Sequence, residues 1–351
     1  MVDNSLIRLE GLRKWFPIRK GLRRKPSGYI KAVDDVSFDI KQRETLGLVG
    51  ESGCGKTTIA RCMLRAIEPT SGHVYYRKDG SFIDLTALEP DDLRNIRQEM
   101  RLIFQDPYSS LNPRMTVRNL IAEPLIVNGV ARGAELELKV ADLLQKVGLR
   151  PEYMRRYPHA FSGGQRQRIG IARALALDPN FVICDEPVSA LDVSVQAQIL
   201  NLLQDLQTEM GLTYLFISHD LGVIHHISDR IVVMYVGKVV ELGYAESIFR
   251  RPTHPYSAAL LSSAPVPNPE LRSEKGQRAV LRGEVPDAGS PPSGCYFHPR
   301  CSHAQDKCRN EYPDLRSISN SGNGEHLVAC HFAEQFSFKG VFDDFEAGGS
   351  T

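Results

Sequence analysis

The stretch "GESGCGKTT", residues 50–58, follows the apolar run "TLGLVG" (45–50) and opens a predicted helix over 56–66. It fits the phosphate-binding pattern G-x-x-x-x-G-K-[ST] in the strand-to-helix context that this pattern requires. The glycines let backbone N–H groups turn towards phosphates, Lys56 neutralises phosphate charge and Thr57 supplies a hydroxyl to Mg²⁺. The predicted nucleotide-binding residues are Gly50, Glu51, Ser52, Gly53, Cys54, Gly55, Lys56, Thr57 and Thr58.

The composition excludes several classes of protein. The 351 residues carry 43 Lys and Arg against 42 Asp and Glu, so no overall basic field favours nucleic acid. The first residues lack the pattern of a signal peptide, and no window of about 18 residues is continuously apolar. Seven cysteines are too few and too unevenly spread for a disulfide scaffold in a chain this long. We therefore expect a globular protein in a reducing compartment.

Apolar runs alternate with helical patterns along the first two thirds of the chain. Predicted strands cover 36–40, 45–50, 101–105, 181–186 and 213–219, and predicted helices cover 56–66, 134–147, 164–176 and 193–210. Because several strands are apolar on both faces, the pattern predicts an α/β fold with a largely parallel sheet. The opening runs "LIRLEGLRKWF" and "YIKAVDDVSFDI" are more typical of paired antiparallel strands.

A second half-site is predicted at "FVICDEP" (181–187), where a buried strand ends in two acids. Asp185 can hold Mg²⁺ through water, and Glu186 can act as the general base on an attacking water. An isolated acidic pair is more often a surface turn. In a chain that also carries a phosphate-binding loop, the pair predicts a catalytic site.

A third element, "FSGGQRQRIGIARAL" (161–175), places a capping serine and two glycines before a helix. Its apolar positions 169, 171, 172 and 175 mark one side of that helix. The helix start is a second anion-binding site, which can share a nucleotide with the phosphate loop only if two copies face each other. The "SGGQ" run resembles the signature of ABC-type ATPases, and Gln105, "SALD" (189–192) and His219 resemble that family's Q-loop, D-loop and switch histidine.

The resemblance implies a P-loop (RecA-like) ABC ATPase core with an antiparallel β-subdomain and a helical subdomain, which binds ATP and Mg²⁺. Two such domains would pair head to tail, with the signature residues Ser162, Gly163, Gly164 and Gln165 on the partner's ATP. Gln105 would sense Mg²⁺ beside Thr57 and Asp185, His219 would position the water, and Asp192 would join the two sites. An aromatic residue would stack on adenine; Phe16 aligns best, Trp15 is the near rival and Tyr29 a weaker candidate.

Two further segments, "QDPYSSLNPRMTV" (105–117) and "RRPTHPYSAALLSSAP" (250–265), resemble the oligopeptide/dipeptide permease ATPases. This resemblance implies a peripheral subunit on the cytoplasmic face of the inner membrane. Its partners would be a second ATPase subunit, identical or related, two transmembrane permease subunits and an extracytoplasmic solute-binding protein. The family favours peptides as cargo and leaves an oligosaccharide or nickel open.

The predicted domains are the ATPase core at 5–105 and 176–247, the helical signature subdomain at 106–175 and a C-terminal module at 248–340. A flexible tail is expected at 341–351, and 263–294 is rich in proline, glycine and serine. The basic loop "RKGLRRKPSG" (19–28) can contact lipid phosphates or be a solvated insertion.

Two rival functions follow from the same motifs. One is an ABC ATPase that acts on ribosomes or nucleic acid, a class that usually carries two cassettes or a long coiled coil, neither of which this sequence contains. We therefore expect no nucleic-acid partner. The other is a nucleotide-binding scaffold without hydrolysis, which Glu186 argues against.

The C-terminal module contains "GCYFHPRCSHAQDKC" (294–308) and "LVACHF" (327–332), which give the spacing C-x5-C-x6-C-x21-C. A reducing compartment disfavours disulfides. On chemistry alone, zinc with help from His298, His303 or His331 and a [4Fe–4S] cluster on Cys295, Cys301, Cys308 and Cys330 are equally acceptable. The pattern also resembles the C-terminal segment of the peptide-permease ATPases, where such a cluster is implied. A structural staple and a redox sensor both remain open as its role.

Overall fold

The structure is a computed structural model, and it describes residues 4–19, 26–106, 110–263, 283–318 and 326–340. Most of the basic loop, most of the segment rich in proline and glycine, and the predicted tail lie outside these residues. The chain divides into two compact units. The first unit comprises residues 1–6, 40–45 and 87–218, and the second comprises 7–39, 46–86 and 219–351.

The first unit contains a parallel sheet in the order β8-β7-β6. Its strands are β6 (Met100–Ile103), β7 (Phe181–Asp185) and β8 (Thr213–Ile217), and β7 and β8 are almost wholly buried. Phe181 pairs with both Met100 and Thr213, so the three strands begin in register. Their carboxyl ends consequently share one edge of the sheet, where ligands bind in open parallel sheets. The helices are α2 (Pro90–Ile96), α3 (Val117–Val127), α4 (Gly133–Lys146), α5 (Gly163–Leu175) and α6 (Val193–Met210).

The second unit holds two sheets. One has the order β2-β1-β4-β5 and is formed by β1 (Ser5–Arg19), β2 (Pro26–Lys41), β4 (Ser71–Lys78) and β5 (Ser81–Asp84). The other has the order β11-β12-β10-β9-β3 and is formed by β3 (Thr45–Val49), β9 (Arg230–Tyr235), β10 (Lys238–Tyr244), β11 (Arg316–Ser317) and β12 (Leu327–Val328). Strands β3 and β9 are parallel, whereas β9 to β12 pair antiparallel.

Helices of the second unit lie mostly late in the chain. They are α1 (Lys56–Met63), α7 (Leu221–Ile227), α8 (Ala245–Arg250), α9 (Pro255–Ser262) and α10 (Asp306–Asn310). Short 3₁₀ turns cover Pro151–Arg155 and Pro158–Ala160 in the first unit and Ala333–Gln335 in the second. No helix within the described ranges combines the length and apolar character needed to cross a bilayer.

The predicted α/β fold with a largely parallel sheet is confirmed, and the two opening runs are neighbours in the β2-β1 sheet. Helix α6 was predicted to the residue, and all four apolar positions predicted in α5 are buried. The helix predicted over 56–66 is wrong at its end: α1 stops at Met63, and Arg65 has a φ of 50°. A left-handed residue cannot continue a helix, so the chain turns there.

Candidate functional site

The phosphate-binding loop follows β3, as predicted, and its conformation depends on glycine. Gly55, with a φ of 109°, lies so close to the backbone that a Cβ there would be 2.1 Å from the Ala32 carbonyl oxygen. Any other residue at this position would push the loop away from that carbonyl. The loop leads into α1, whose first residue is Lys56, so its N–H groups lie at a helix start that suits an anion.

The Lys56 ammonium group folds back over this loop. Its Nζ donates hydrogen bonds to the carbonyl oxygens of Gly50 and Glu51, at 2.8 and 3.2 Å, and the residue is 7% exposed. The Cys54 thiol is buried beside it, and burial raises the pKa of that thiol. A phosphate that enters the loop can accept hydrogen bonds from Lys56 in place of these carbonyl oxygens, because an ammonium group carries three donors that can rotate.

The acidic strand end lies in the first unit, where the structure brings two predicted residues together. Gln105 Nε2 donates to Glu186 Oε2 at 2.8 Å. Glu186 has a φ of 50°, and its N–H donates to the Ile217 carbonyl oxygen at 2.9 Å. A left-handed non-glycine residue costs about 1–3 kcal/mol, and such strain clusters at functional sites. The sequence identified the carboxylate but gave no sign of its strained backbone.

The signature residues form the start of α5, also in the first unit. Ser162 caps the helix: its Oγ accepts the Gln165 N–H, and Gln165 Oε1 accepts the Ser162 N–H. This reciprocal pair fixes the first turn. A Cβ on Gly164 would be 2.4 Å from Val195 Cγ1, so only glycine lets α5 approach α6 this closely.

Asp192, predicted to join two sites, caps α6. Its carboxylate accepts the Ser194 hydroxyl at 2.7 Å and the Val195 N–H at 3.0 Å. These hydrogen bonds, first that of Ser194, lower the pKa of Asp192. The residue therefore has a structural role within its own chain in addition to any role at an interface.

The remaining predicted residues are placed as follows. Thr57 is the second residue of α1, Asp185 ends β7 and His219 is an exposed residue just before α7. Phe16 is half-buried in β1, with Lys14 Nζ 5.0 Å from the centre of its ring. Trp15 donates from Nε1 to Asp34 Oδ1 at 3.1 Å, which already engages that ring's polar edge.

Two residues of the C-terminal module contact the phosphate loop, and sequence reasoning missed both roles. Arg300 forms a two-pronged ion pair with Glu51: Nη1 is 2.7 Å from Oε2 and Nη2 is 3.1 Å from Oε1. The hydroxyl of Tyr256 accepts the Glu51 N–H at 3.0 Å. Arg300 also donates to the Tyr235 hydroxyl at 3.3 Å. The only sequence signal for Arg300 is its position between two predicted ligands, Cys295 and Cys301, in "CYFHPRC".

The four predicted cysteines line one cavity of the second unit, together with the three nearby histidines. The other lining residues are mostly apolar: His254, Pro255, Phe297, Pro313, Phe332 and Phe336. Gly294 lets two of the cysteine-bearing segments approach closely, because a Cβ there would be 2.4 Å from the Cys308 carbonyl oxygen. The next residue, Cys295, donates its N–H to that carbonyl at 2.8 Å.

Burial raises the pKa of three of these thiols, those of Cys295, Cys301 and Cys330. Backbone N–H groups two residues further along the chain, those of Phe297, His303 and Phe332, oppose the rise. Burial raises the pKa of Cys295 to about 12 and that of Cys330 to about 11. Within the described residues, no three His, Cys, Asp or Glu side chains form a ready-made metal site.

A buried carboxylate joins the module to the sheet. Glu241 of β10 is fully buried, and it accepts the N–H groups of Thr253 and His254 at 2.8 and 3.1 Å. It also pairs with Nε2 of His326, at 2.7 Å. His254 in turn caps α9, since its Nδ1 accepts the Tyr256 N–H at 3.0 Å. This set of contacts fixes where α9 begins.

His254 predicts a pH dependence of stability. Burial lowers its pKa from 6.5 to about 4, although the Glu241 carboxylate opposes the shift. The unfolded chain takes up a proton near pH 6.5 and the folded chain does not, so stability is lost as the pH falls from there towards 4. A His254→Asn variant keeps a capping oxygen but cannot titrate. Between about pH 7.5 and 5, we expect the wild type to lose about 2 kcal/mol more unfolding free energy than this variant, measured by urea denaturation. An equal loss in both proteins would contradict the assignment.

Two family profiles match separate parts of the chain. The ABC transporter family profile matches residues 33–189, and the profile described as oligopeptide/dipeptide transporter, C-terminal region, matches residues 240–308. The second match includes Tyr256, Arg300 and three of the four cysteines.

Full-length relatives are similar over nearly the whole chain. The oligopeptide transport ATP-binding protein AppF of Bacillus subtilis is 50% identical over 94% of this chain and 98% of its own. The dipeptide transport ATP-binding protein DppF of Haemophilus influenzae is 50% identical over 93% of this chain and 97% of its own.

Among solved structures, the dimeric ATP-binding cassette MJ0796 bound to ADP and Pi is similar, at 30% identity with a TM-score of 0.58. The match covers 68% of this chain and 98% of the MJ0796 chain. The CbiO1 subunit from Clostridium perfringens has 25% identity and a TM-score of 0.59, and it covers 70% of this chain and 91% of that one.

Proposed function

Since this chain belongs to the ABC transporter family, as an ATP-binding protein of the oligopeptide/dipeptide type, we propose that it hydrolyses ATP to power the import of di- or oligopeptides. The observation that carries this proposal is the joint presence of a complete set of ATPase motifs and the C-terminal region of peptide transporters in one chain.

Each predicted site residue has a role in the proposed reaction. The loop from Gly50 to Thr58 holds the phosphates. Thr57, Gln105 and Asp185 would hold the Mg²⁺ ion, directly or through water. Glu186 takes a proton from water as its oxygen attacks the γ-phosphorus, and the bond to the bridging oxygen of ADP breaks. The hydrogen bond from Gln105 supports this assignment, because it holds the carboxylate in one orientation. His219 positions the water, and Phe16 stacks on adenine.

Two ATPase subunits close on two nucleotides in the proposed cycle. Ser162, Gly163, Gly164 and Gln165 of one subunit contact the other's ATP, and Asp192 joins the two sites. The start of α5 supports this, since the hydrogen bonds between Ser162 and Gln165 fix its first turn. Bound ATP favours the closed pair of subunits, and hydrolysis favours the open pair. Permease subunits that move with the pair would therefore open alternately to the two sides of the membrane.

The proposed partners are a second ATPase subunit, two transmembrane permease subunits and an extracytoplasmic solute-binding protein. The subunit would sit on the cytoplasmic face of the membrane through the permeases. We also propose the predicted domains as functional divisions: a core at 5–105 and 176–247, a signature subdomain at 106–175 and a C-terminal module at 248–340.

Uptake by cells tests the function. Deleting the gene should abolish import of a labelled dipeptide or pentapeptide, and the wild-type gene should restore it whereas the Glu186→Gln gene should not. Labelled maltotriose and nickel are measured in parallel. Loss of sugar or nickel uptake with peptide uptake intact would overturn the peptide assignment, and co-purification with ribosomes instead of membrane proteins would overturn transport.

We further propose a [4Fe–4S] cluster on Cys295, Cys301, Cys308 and Cys330, with a single Zn²⁺ as the alternative. The donor set fits a cluster: four cysteines line one mostly apolar cavity, and backbone N–H groups near three of them favour the thiolate form by lowering its pKa. When bound, such a group would join four separate loop positions and act as a structural staple, since metal binding contributes directly to folding free energy.

Metal analysis tests the cluster. Protein purified without oxygen should contain about four iron and four sulfide per chain, and Cys301→Ser should remove most of both. Cys62→Ala, which removes a thiol outside the cavity, should leave the iron content unchanged. Zinc without iron or sulfide in the wild type would overturn the cluster.

A further inference from the structure

We propose that Arg300 is a positioning residue that links the four-cysteine cavity to the phosphate-binding loop, so that a filled cavity raises the affinity for nucleotide. This inference rests on the proposed ATPase function and on the cavity holding a metal group. It assigns to the C-terminal module a part in nucleotide binding, through residues that belong to none of the ATPase motifs.

Glu51, the second residue of the phosphate loop, is held from two sides by the C-terminal module. Arg300 binds both of its carboxylate oxygens, and Tyr256 accepts its backbone N–H. Charge-assisted pairs of this two-pronged kind are among the strongest side-chain contacts and fix orientation as well as position. The Arg300 side chain is 5% exposed and that of Glu51 22%, so solvent screens the pair only weakly.

The charge of this pair matters because of what the loop binds. Glu51 places a carboxylate in a loop that must receive a polyphosphate, and like charges repel. Arg300 neutralises that carboxylate, and the Glu51 carbonyl also accepts from Lys56. If Arg300 is lost, the loop keeps an uncompensated negative charge and one end loses its anchor.

Arg300 is itself positioned by the turns that carry two of the cysteines. Residues 295–301 form successive turns: the N–H groups of His298, Arg300 and Cys301 donate to the carbonyls of Cys295, Phe297 and His298. Phe297, within the same turns, packs 5.3 Å from the Tyr235 ring and 5.4 Å from the Tyr256 ring, measured between ring centres. A group that ties Cys295 and Cys301 together restricts these turns and with them the Arg300 side chain.

Linkage makes this effect reciprocal. If filling the cavity strengthens nucleotide binding by some factor, bound nucleotide must strengthen retention of the group in the cavity by the same factor. Coupling between two sites is typically about 5- to 150-fold. A contact as direct as Arg300 with Glu51 leads us to expect about tenfold.

The first experiment measures the dissociation constant of ADP by titration calorimetry on the full-length protein, with iron content determined on the same samples. Arg300→Gln should weaken ADP binding about tenfold with its iron retained. The variant Glu51→Gln/Arg300→Gln, which is neutral at both positions, should recover much of that loss. Arg300→Lys should recover part of it, because one ammonium group replaces two donors. Arg309→Gln, the same charge change at an exposed residue of the module, should bind ADP as the wild type does.

The second experiment removes the metal group with a chelator. Stripping the wild type should weaken ADP binding several-fold, whereas stripping Arg300→Gln should change it little, because the link is already cut. ADP should also slow the release of iron from the wild type and not from Arg300→Gln.

Either of two results would overturn the proposal. The first is wild-type affinity for ADP in Arg300→Gln, and the second is an equal effect of stripping in both proteins. A protein that shows either result but still drives peptide uptake overturns the coupling alone. Absence of ATPase activity in the wild type overturns the proposed function itself.

Discussion

The variant Glu186→Gln should hydrolyse ATP at least about 100-fold more slowly than the wild type while it binds ATP with similar affinity. Glutamine has nearly the same shape as glutamate and can still pair with Gln105, but it cannot accept the proton of the attacking water. ATP would then persist on the protein, and the closed pair of subunits should accumulate. Phosphate release in single-turnover conditions and size-exclusion chromatography with ATP measure the two effects.

A control substitution distinguishes the loss of a catalytic base from the loss of one negative charge. Glu209→Gln removes one carboxylate from an exposed position on α6 and should leave turnover unchanged. Unaltered phosphate release in Glu186→Gln would remove Glu186 as the base. A large loss of ATP affinity would show that its carboxylate holds the metal or the loop instead.

The variant Glu241→Ala should lose about 3–5 kcal/mol of unfolding free energy in urea denaturation. The carboxylate is fully buried and accepts from two backbone N–H groups and from His326. Alanine leaves these donors buried without an acceptor and opens a cavity, and both effects destabilise the folded state. The start of α9 should loosen first, which would appear as faster exchange of the backbone N–H groups of Thr253, His254 and Tyr256.

Glu246→Ala is the control for this prediction. Glu246 is an exposed residue of α8 that pairs with Arg250, four residues away, and with His225 at 3.7 Å, and exposed pairs of this kind contribute at most about 1 kcal/mol. A loss of stability in Glu241→Ala that is no larger than the loss in Glu246→Ala would contradict the role assigned to the buried carboxylate.

The sequence was most informative where a motif is short, local and tied to one backbone geometry. The phosphate loop, the acidic strand end and the start of α5 each depend on residues within about ten positions, so their spacing carried the prediction. The fully apolar runs of β7 and β8 likewise predicted strands covered on both faces.

The elements that the sequence did not reveal depend on contacts between distant segments. Strands β9 and β10 were not predicted, although β9 is buried throughout, because their apolar runs do not carry motif residues. Glu241 resembles any other acid in the sequence, and its importance comes from His254 and His326. Arg300 was overlooked for the same reason: nothing near it in the sequence indicates that Glu51 is its partner.

The pairing of Arg300 with Glu51 has a consequence during synthesis of the protein. The two residues are 249 positions apart. At a translation rate of roughly 5–20 residues per second, the phosphate loop emerges from the ribosome roughly 12–50 s before its anchor. A nascent chain therefore completes its phosphate loop only late in synthesis. A chain that terminates before Arg300 has a phosphate loop in which Glu51 lacks its ion-pair partner.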